Sequence, residues 1–291
     1  MRSARPRTSS SPASTSAPAR SRTSSSTSPD GACDERPRDR PRPAPRAAPV
    51  LDRLRAQTTF ELASIFRNGE QIMVTILMPL VTLVALAATD VVDLGHAEGA
   101  RVDLVAPGVL AMAVMAAALT SQAIATSFDR RGGVLRLLAT TPLGRVGLLG
   151  GKICAVLVLQ AVQAVVLGGV AIGLGWRPEP GDVIVALAIG VLGTAVFTAL
   201  AMLMAGTLRF EAVLALANLL LIGLTLVGGV LVPTDWLPGV GADIARLLPS
   251  GALGEALRGA FGDGVAWRDV AVLLGWVGLL TWATSRTFRW S

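Results

Sequence analysis

Residues Phe128 to Lys152 read FDRRGGVLRLLATTPLGRVGLLGGK. A long apolar run stands on either side of them. The stretch itself carries Arg130, Arg131, Arg136, Arg145 and Lys152 against one acid, Asp129. Each flanking run exceeds the 18 or so apolar residues that about 30 Å of hydrocarbon requires. Cations concentrated in a short connection between two such runs belong on the cytoplasmic face of a membrane. The stretch therefore fixes the class, a multi-pass membrane protein, and the direction in which it is threaded.

Working outward, the same pattern recurs. The chain is 52% hydrophobic and 16% charged, where soluble domains carry about 25% charged residues. Six spans are expected, at about residues 71–89, 104–127, 148–175, 183–207, 212–232 and 268–286. Pro79 is expected to kink the first. Arg53, Arg55 and Arg67 precede span one, Arg209 lies between spans four and five, and Arg286 and Arg289 follow span six. The connections of the other side are acidic or carry single arginines: Arg101 in one, Arg177 in the next. This alternation places both termini in the cytoplasm. Trp176, Trp236 and Trp267 are expected at the outer interface and Trp290 at the inner one.

Before the first span, Leu51, Leu54, Thr58, Leu62, Ile65 and Phe66 fall on one helical stripe, with Arg53 and Arg67 off it. That spacing predicts an amphipathic helix lying on the membrane surface. Residues 1–48 are rich in Arg, Ser and Pro and lack aromatic residues. Such a segment cannot bury enough apolar area to offset its chain entropy and is expected to be disordered; equally, translation may be taken to begin near Val50. Ten arginines against four acids in the first fifty residues account for the whole formal charge of +6. The basic balance thus belongs to the tail, and no nucleic-acid partner is expected. Lys152 is the single lysine beside twenty-five arginines, a bias that points to a GC-rich bacterial genome.

Within the cationic stretch, Gly132-Gly133 should stop the helix that continues span two. VLRLLA reads as a short helical turn, and Thr141 followed by Pro142 reads as an N-cap and first helical residue. A helix from Pro142 to about Gly175 would be about 50 Å long, so a bend is expected near Gly150-Gly151. GRVGLLGGK is not a phosphate-binding loop. That motif needs a glycine five residues before Gly151 and Ser or Thr after the lysine; here Val146 and Ile153 stand there. The chain is expected to hold no ATPase, no catalytic residue and no metal. His96 is its only histidine, and Cys33 and Cys154 form no recognisable framework.

The spans hold no Asp, Glu, His or Arg except at their ends, which argues against a proton-coupled carrier. Their polar residues are Gln122, Gln160, Gln163, Thr194, Thr198 and Asn218. These fit hydrogen bonding between helices, with the lining of a substrate path as the sharper alternative. Gly169 and Gly173 would allow close helix approach. The segment VPTDWLPGVGADIARLLPSGALGEALRGAFGDG, from Val232, holds two short amphipathic pieces. It reads either as a surface helix pair or as an outer cap dipping into the leaflet.

GGVLRLLATTPLGRVGLLGGK resembles the loop of bacterial ABC type-2 exporter permeases, in which a Gly, an R-L-L, a T-P-L and a later G-K recur. VPTDWLPGVGADIARLLPSGALGEALRGAF resembles the family's outer segment, with Pro249-Ser250 where an Asn-Pro-like stretch is usual. The likeness covers residues 49–291 and is nearest to permeases of the drug-resistance type. It implies an all-α fold of six transmembrane helices, with an N-terminal surface helix and a cytoplasmic coupling helix, in the bacterial plasma membrane. It implies a homodimer or heterodimer of permeases surrounded by membrane lipid. A separate cytoplasmic ATPase subunit would bind ATP and Mg, leaving this chain without a cofactor of its own. Arg130, Arg131, Leu135, Arg136, Leu138, Thr141 and Pro142 would form the contact with that ATPase. Trp236, Leu237, Leu257 and Phe261 would form an outer gate. The competing expectations are an ATP-independent secondary carrier and a non-transporting membrane scaffold.

Overall fold

Helices account for all the regular structure among the described residues, which are 49–67, 69–89, 101–133, 144–231, 233–234 and 239–287 of the computed structural model. The Arg/Ser/Pro-rich tail lies outside them. Helix α1 is Val50–Arg67 and α2 occupies residues 69–88. Then come α3, Arg101–Arg131; α4, Gly144–Gly173; α5, Pro180–Thr207; and α6, Phe210–Val227. Two short helices follow, α7 (Val240–Leu247) and α8 (Pro249–Ala260), and α9 is Trp267–Thr287.

Four of these have the length and apolarity to cross a membrane: Arg101–Arg131, Gly150–Gly173, Pro180–Thr207 and Phe210–Val227. They coincide with spans two to five of the sequence reading. Helices α2 and α9 stand where spans one and six were expected. At 1.5 Å per residue each is about 30 Å long. The apolar part of α2 is short, Thr75–Ala88, and α9 carries Arg268, Asp269 and Arg286 at its ends.

Helix α3 is the axis of the bundle. Its apolar window is 78% buried, against 11% for α6. The reason is its run of small residues. Ala111, Ala113, Ala117, Ala118 and Ala123 are all essentially inaccessible, and small side chains let helices approach where lipid offers no hydrophobic drive. One side of α3 joins α5, α6, α8 and α9 in a common core. Another side packs with α2 and α4 through Leu83, Val105, Val109 and Leu167.

Both α2 and α3 contain a π-helical turn, Met73–Leu77 and Ala116–Ser121. The first directly precedes Met78-Pro79, at the kink site expected from Pro79. Proline has no N–H to offer the carbonyl four residues back, which here is Thr75. Gln163 of α4 fills that role, its Nε2 donating to Thr75 O at 2.6 Å. The Thr75 and Ser121 hydroxyls of the two π turns lie 3.4 Å apart.

The segment after α6 is not a surface helix pair. Helix α8 is buried around nearly its whole circumference, from Pro249 to Gly254 and again at Ala256, Leu257 and Ala260. It packs on α3, α5 and α9. Glycines make the insertion possible. A Cβ on Gly251 would strike Ala245 O, and one on Gly193 of α5 would lie 2.7 Å from Leu253 Cδ1.

Helix α4 is one continuous helix through Gly150-Gly151. A Cβ on Gly169 or Gly173 would meet nothing within 4 Å. One other expectation is corrected. Trp176 is not a belt residue but is buried, its ring 4.8 Å edge-on from Phe261. Trp267 is open as a belt residue would be, while Trp236 and Trp290 lie outside the described residues.

Candidate functional site

The arginine-rich end of the bundle is organised around the single lysine. Lys152, on the third turn of α4, is only 1% exposed. Its Nζ donates to Asp129 Oδ2 of α3 at 2.7 Å and lies 2.9 Å from Glu61 Oε1 of α1. Glu61 Oε1 also accepts from Gln57 Nε2 at 2.9 Å. A compact ammonium with three donors can serve carboxylates arriving from two directions, which a planar guanidinium cannot do in the same space. Three helices are therefore tied at one buried point.

The neighbouring glycines explain how α1 comes so close. A Cβ on Gly151 would collide with Gln57, and one on Gly150 would lie 3.2 Å from Leu54 Cδ1. The Gly-Gly-Lys triplet is thus a packing notch followed by a charge clamp, in place of a phosphate cradle. The inward face of α1 is rotated from the expected stripe. Gln57, Glu61 and Ile65 are buried, while Leu51, Phe60 and Phe66 are exposed.

Beside this clamp, α3 ends as its glycines dictate. Gly132 N–H donates to Phe128 O at 2.8 Å, and Gly133 takes a φ of +71° that a side chain would resist. Arg130 turns inward, donating to Ala205 O at 2.9 Å. It thereby caps the last turn of α5, where backbone carbonyls lack partners. Arg131 stays exposed and lies 5.0 Å over the Phe210 ring, itself edge-on to Phe128 at 4.6 Å. Of the residues expected to contact an ATPase, Arg130 and Arg131 are thus placed at the mouth of the α3–α4 connection. Leu135, Arg136, Leu138, Thr141 and Pro142 lie outside the described residues.

At the opposite end, Glu255 and Arg258 of α8 hold the chain that follows α6. Glu255 Oε1 accepts from the Thr234 backbone N–H at 2.7 Å. Arg258 donates to Gly229 O at 2.6 Å and to Val230 O at 3.0 Å. Burial lowers the pKa of this guanidinium from its ordinary value, and Glu255, 3.7 Å away, opposes the fall. The E-A-L-R run seen in the sequence is therefore a strap across the outer segment. Of the four gate residues expected, Leu257 is buried and Phe261 half-buried against Trp176; Trp236 and Leu237 lie outside the described residues.

Residues 53–261 match the family model described as ABC-2 type transporter. The chain belongs to that family. No curated protein matches it. The matched range opens inside α1 and closes just after α8. It therefore takes in the lysine clamp, the α3–α4 connection and the inserted helix α8 of this ABC-2 permease, and leaves out α9.

Sequence reading missed Gln57 and Glu61, and it gave Lys152 and Asp129 only a topological meaning. One signal was available. Gln57 and Glu61 sit at i,i+4 on one face of α1, in a chain with a single lysine.

Proposed function

We propose that this ABC-2 permease is the membrane half of an ATP-driven exporter. It crosses the membrane six times with both termini cytoplasmic, α2 and α9 supplying the first and last crossings. A separate cytoplasmic ATPase binds ATP and Mg and presses on residues 134–143, the connection bearing Leu135, Arg136, Leu138, Thr141 and Pro142. The observation that carries the reading is the Lys152 clamp. It joins α1, α3 and α4 at the root of that connection, so a load applied there moves the three helices as one body.

A second permease copy would cover α6, whose Leu219, Ile222 and Leu226 are all more than half exposed. Leu257 and Phe261 would then lie near the exit of a lipophilic or amphipathic cargo, consistent with spans that carry almost no charge. The test is co-reconstitution with the ATPase that copurifies with the chain. Arg136→Glu combined with Leu138→Asp should leave insertion intact and abolish ATP-dependent efflux. Full transport by that double variant, or uphill transport by the permease alone, would sink the proposal.

A further inference from the structure

A polar cavity of about 540 Å³ lies between α7, the end of α8, the turn that follows it and the first turn of α9. This is within the range of about 300–1,000 Å³ typical of small-molecule sites. Glycines fix the turn. Gly264 takes a φ of +103° and its N–H donates to Gly259 O at 2.9 Å, and a Cβ on Gly259 would lie 2.6 Å from Gly264 O. The described residues that line the cavity include three arginines, Arg246, Arg258 and Arg268, and three acids, Glu255, Asp263 and Asp269. Their charges balance, and both signs are present.

Two of these groups are committed to the fold. Glu255 and Arg258 hold the backbone after α6, and Arg258 Nε and Nη1 are sealed from solvent. The others are arranged differently. Asp263 and Arg268 are exposed, and Asp269 lies within electrostatic reach of Arg246 and Arg268. Yet Asp263, Arg268 and Asp269 make no close ion pair and no side-chain hydrogen bond among the described residues. Arg246 enters from α7 with a guanidinium of several donors, of which Nε donates to Thr234 Oγ1 at 3.4 Å. Opposite charges that share a cavity without touching leave room for a group that bridges them. The level of the cavity rests on α9 being the last crossing, as proposed above. Helix α9 is then about 30 Å long, and its first turn, with Arg268 and Asp269, stands where hydrocarbon gives way to headgroups. Trp267 beside them is 82% exposed, as suits that layer. On α7, Val240, Ile244 and Leu247 form one exposed apolar stripe, and Arg246 follows its edge.

We propose that this cavity binds the headgroup of a phospholipid in which a phosphate stands beside a primary ammonium, a phosphatidylethanolamine. The phosphate goes to Arg246 and Arg268, the ammonium donates to Asp263 and Asp269, and the acyl chains lie over Ile244 and Leu247. A primary ammonium brings N–H donors to the carboxylates, and a choline brings none. An anionic headgroup brings the phosphate without the ammonium, so Asp263 and Asp269 oppose it. The same zwitterion exists in solution as phosphoethanolamine, and the α7 stripe is what selects the lipid. Binding here does not involve the ATPase. Failed ATP-driven efflux would leave this site standing, and failed lipid binding would leave the coupling scheme standing.

The test is native mass spectrometry of the purified, delipidated full chain released from detergent micelles. It is titrated with phosphatidylethanolamine, phosphatidylcholine or phosphatidylglycerol of identical acyl chains. Phosphatidylethanolamine should bind about tenfold more tightly than either, the effect of one hydrogen bond to a charged group. Arg268→Ala should weaken its binding about tenfold, and Asp263→Asn should bring it down to about the level of phosphatidylcholine. Both positions are exposed, so both variants should fold. Soluble phosphoethanolamine should compete at least about tenfold less well than the lipid, because it cannot use the α7 stripe. Equal binding of the three lipids, phosphatidylglycerol ahead of the others, or undiminished binding in either variant would overturn the assignment. Competition by phosphoethanolamine at the lipid's own concentration would overturn it too, and would mark a site for a soluble zwitterion.

Discussion

Lys152 Nζ lies 2.9 Å from Glu61 Oε1 and 2.7 Å from Asp129 Oδ2, so one ammonium is shared by carboxylates from two other helices. The Lys152 and Glu61 side chains are out of bulk water, at 2% and 7% exposure, while Asp129 keeps 24%. Desolvation offsets much of the attraction in such a cluster, so its net worth is modest. Losing one member is another matter, because the remaining charges stay buried without a counter-ion.

Lys152→Met should accordingly destabilise the permease by about 3–5 kcal/mol. The triple change Lys152→Met, Glu61→Gln, Asp129→Asn should recover most of that loss, since no charge is then left stranded. Lys152→Arg should not behave as a conservative change, because a larger planar fork must enter a sealed site. Thermal unfolding of the purified variants in micelles decides the matter. A triple variant no better than Lys152→Met would mean that packing, and not charge, holds the three helices.

The notch beside the clamp gives a second contrast, between adjacent glycines. An added Cβ at Gly151 lies 2.9 Å from Gln57 Cβ, close to the α1 backbone, whereas at Gly150 the nearest atom is the far end of the Leu54 side chain. Gly151→Ala should therefore cost about 1–3 kcal/mol as an overpacking change, and Gly150→Ala much less, because Leu54 can rotate away. Limited proteolysis of α1 provides the readout. Accelerated cleavage after Arg53 or Arg55 is expected in Gly151→Ala only, and equal rates in the two variants would discount the notch.

How much of this was legible in the sequence follows from the range over which each signal acts. The stop at Gly132-Gly133 was readable because a glycine C-cap is a local property of a few residues. Four spans were readable because hydropathy over 18 residues needs no knowledge of neighbours. Helix α8 was undecidable because a short helix of mostly small and apolar residues with one Glu and one Arg suits a surface or an interior equally. Gly193 and Gly251, which settle it, announce themselves only through what they touch. Trp176 was misplaced for the same reason. Its burial comes from Phe261, eighty-five positions later. The Lys152 clamp gathers residues from positions 57 to 152, and nothing in one sequence pairs them.

The Glu255–Arg258 strap should discriminate between the two arginines near it. Arg258 is largely buried and donates to two carbonyls, while Arg268 is exposed. Arg258→Leu should lower stability by roughly 2–4 kcal/mol by orphaning Gly229 O and Val230 O beside an uncompensated Glu255. Arg258→Lys should restore only part, since an ammonium lacks the fork. Arg268→Ala should stay within about 0.5 kcal/mol of the parent. Denaturation midpoints measured side by side would expose the opposite ranking if the strap were idle.

Gln163 and Pro79 should be energetically coupled although they sit on different helices. Pro79 deprives Thr75 O of the N–H that a regular helix would bring to it, and Gln163 Nε2 replaces that donor at 2.6 Å. Gln163→Leu should thus cost about 1–2 kcal/mol by removing a hydrogen bond to a buried carbonyl. In a Pro79→Ala background the backbone N–H is restored, the carbonyl can be satisfied within α2, and the same substitution should cost about 1 kcal/mol less. The double-mutant cycle is read from thermal unfolding of the four proteins. Strict additivity would mean that the amide does not stand in for the missing N–H, and the π turn would then need some other cause.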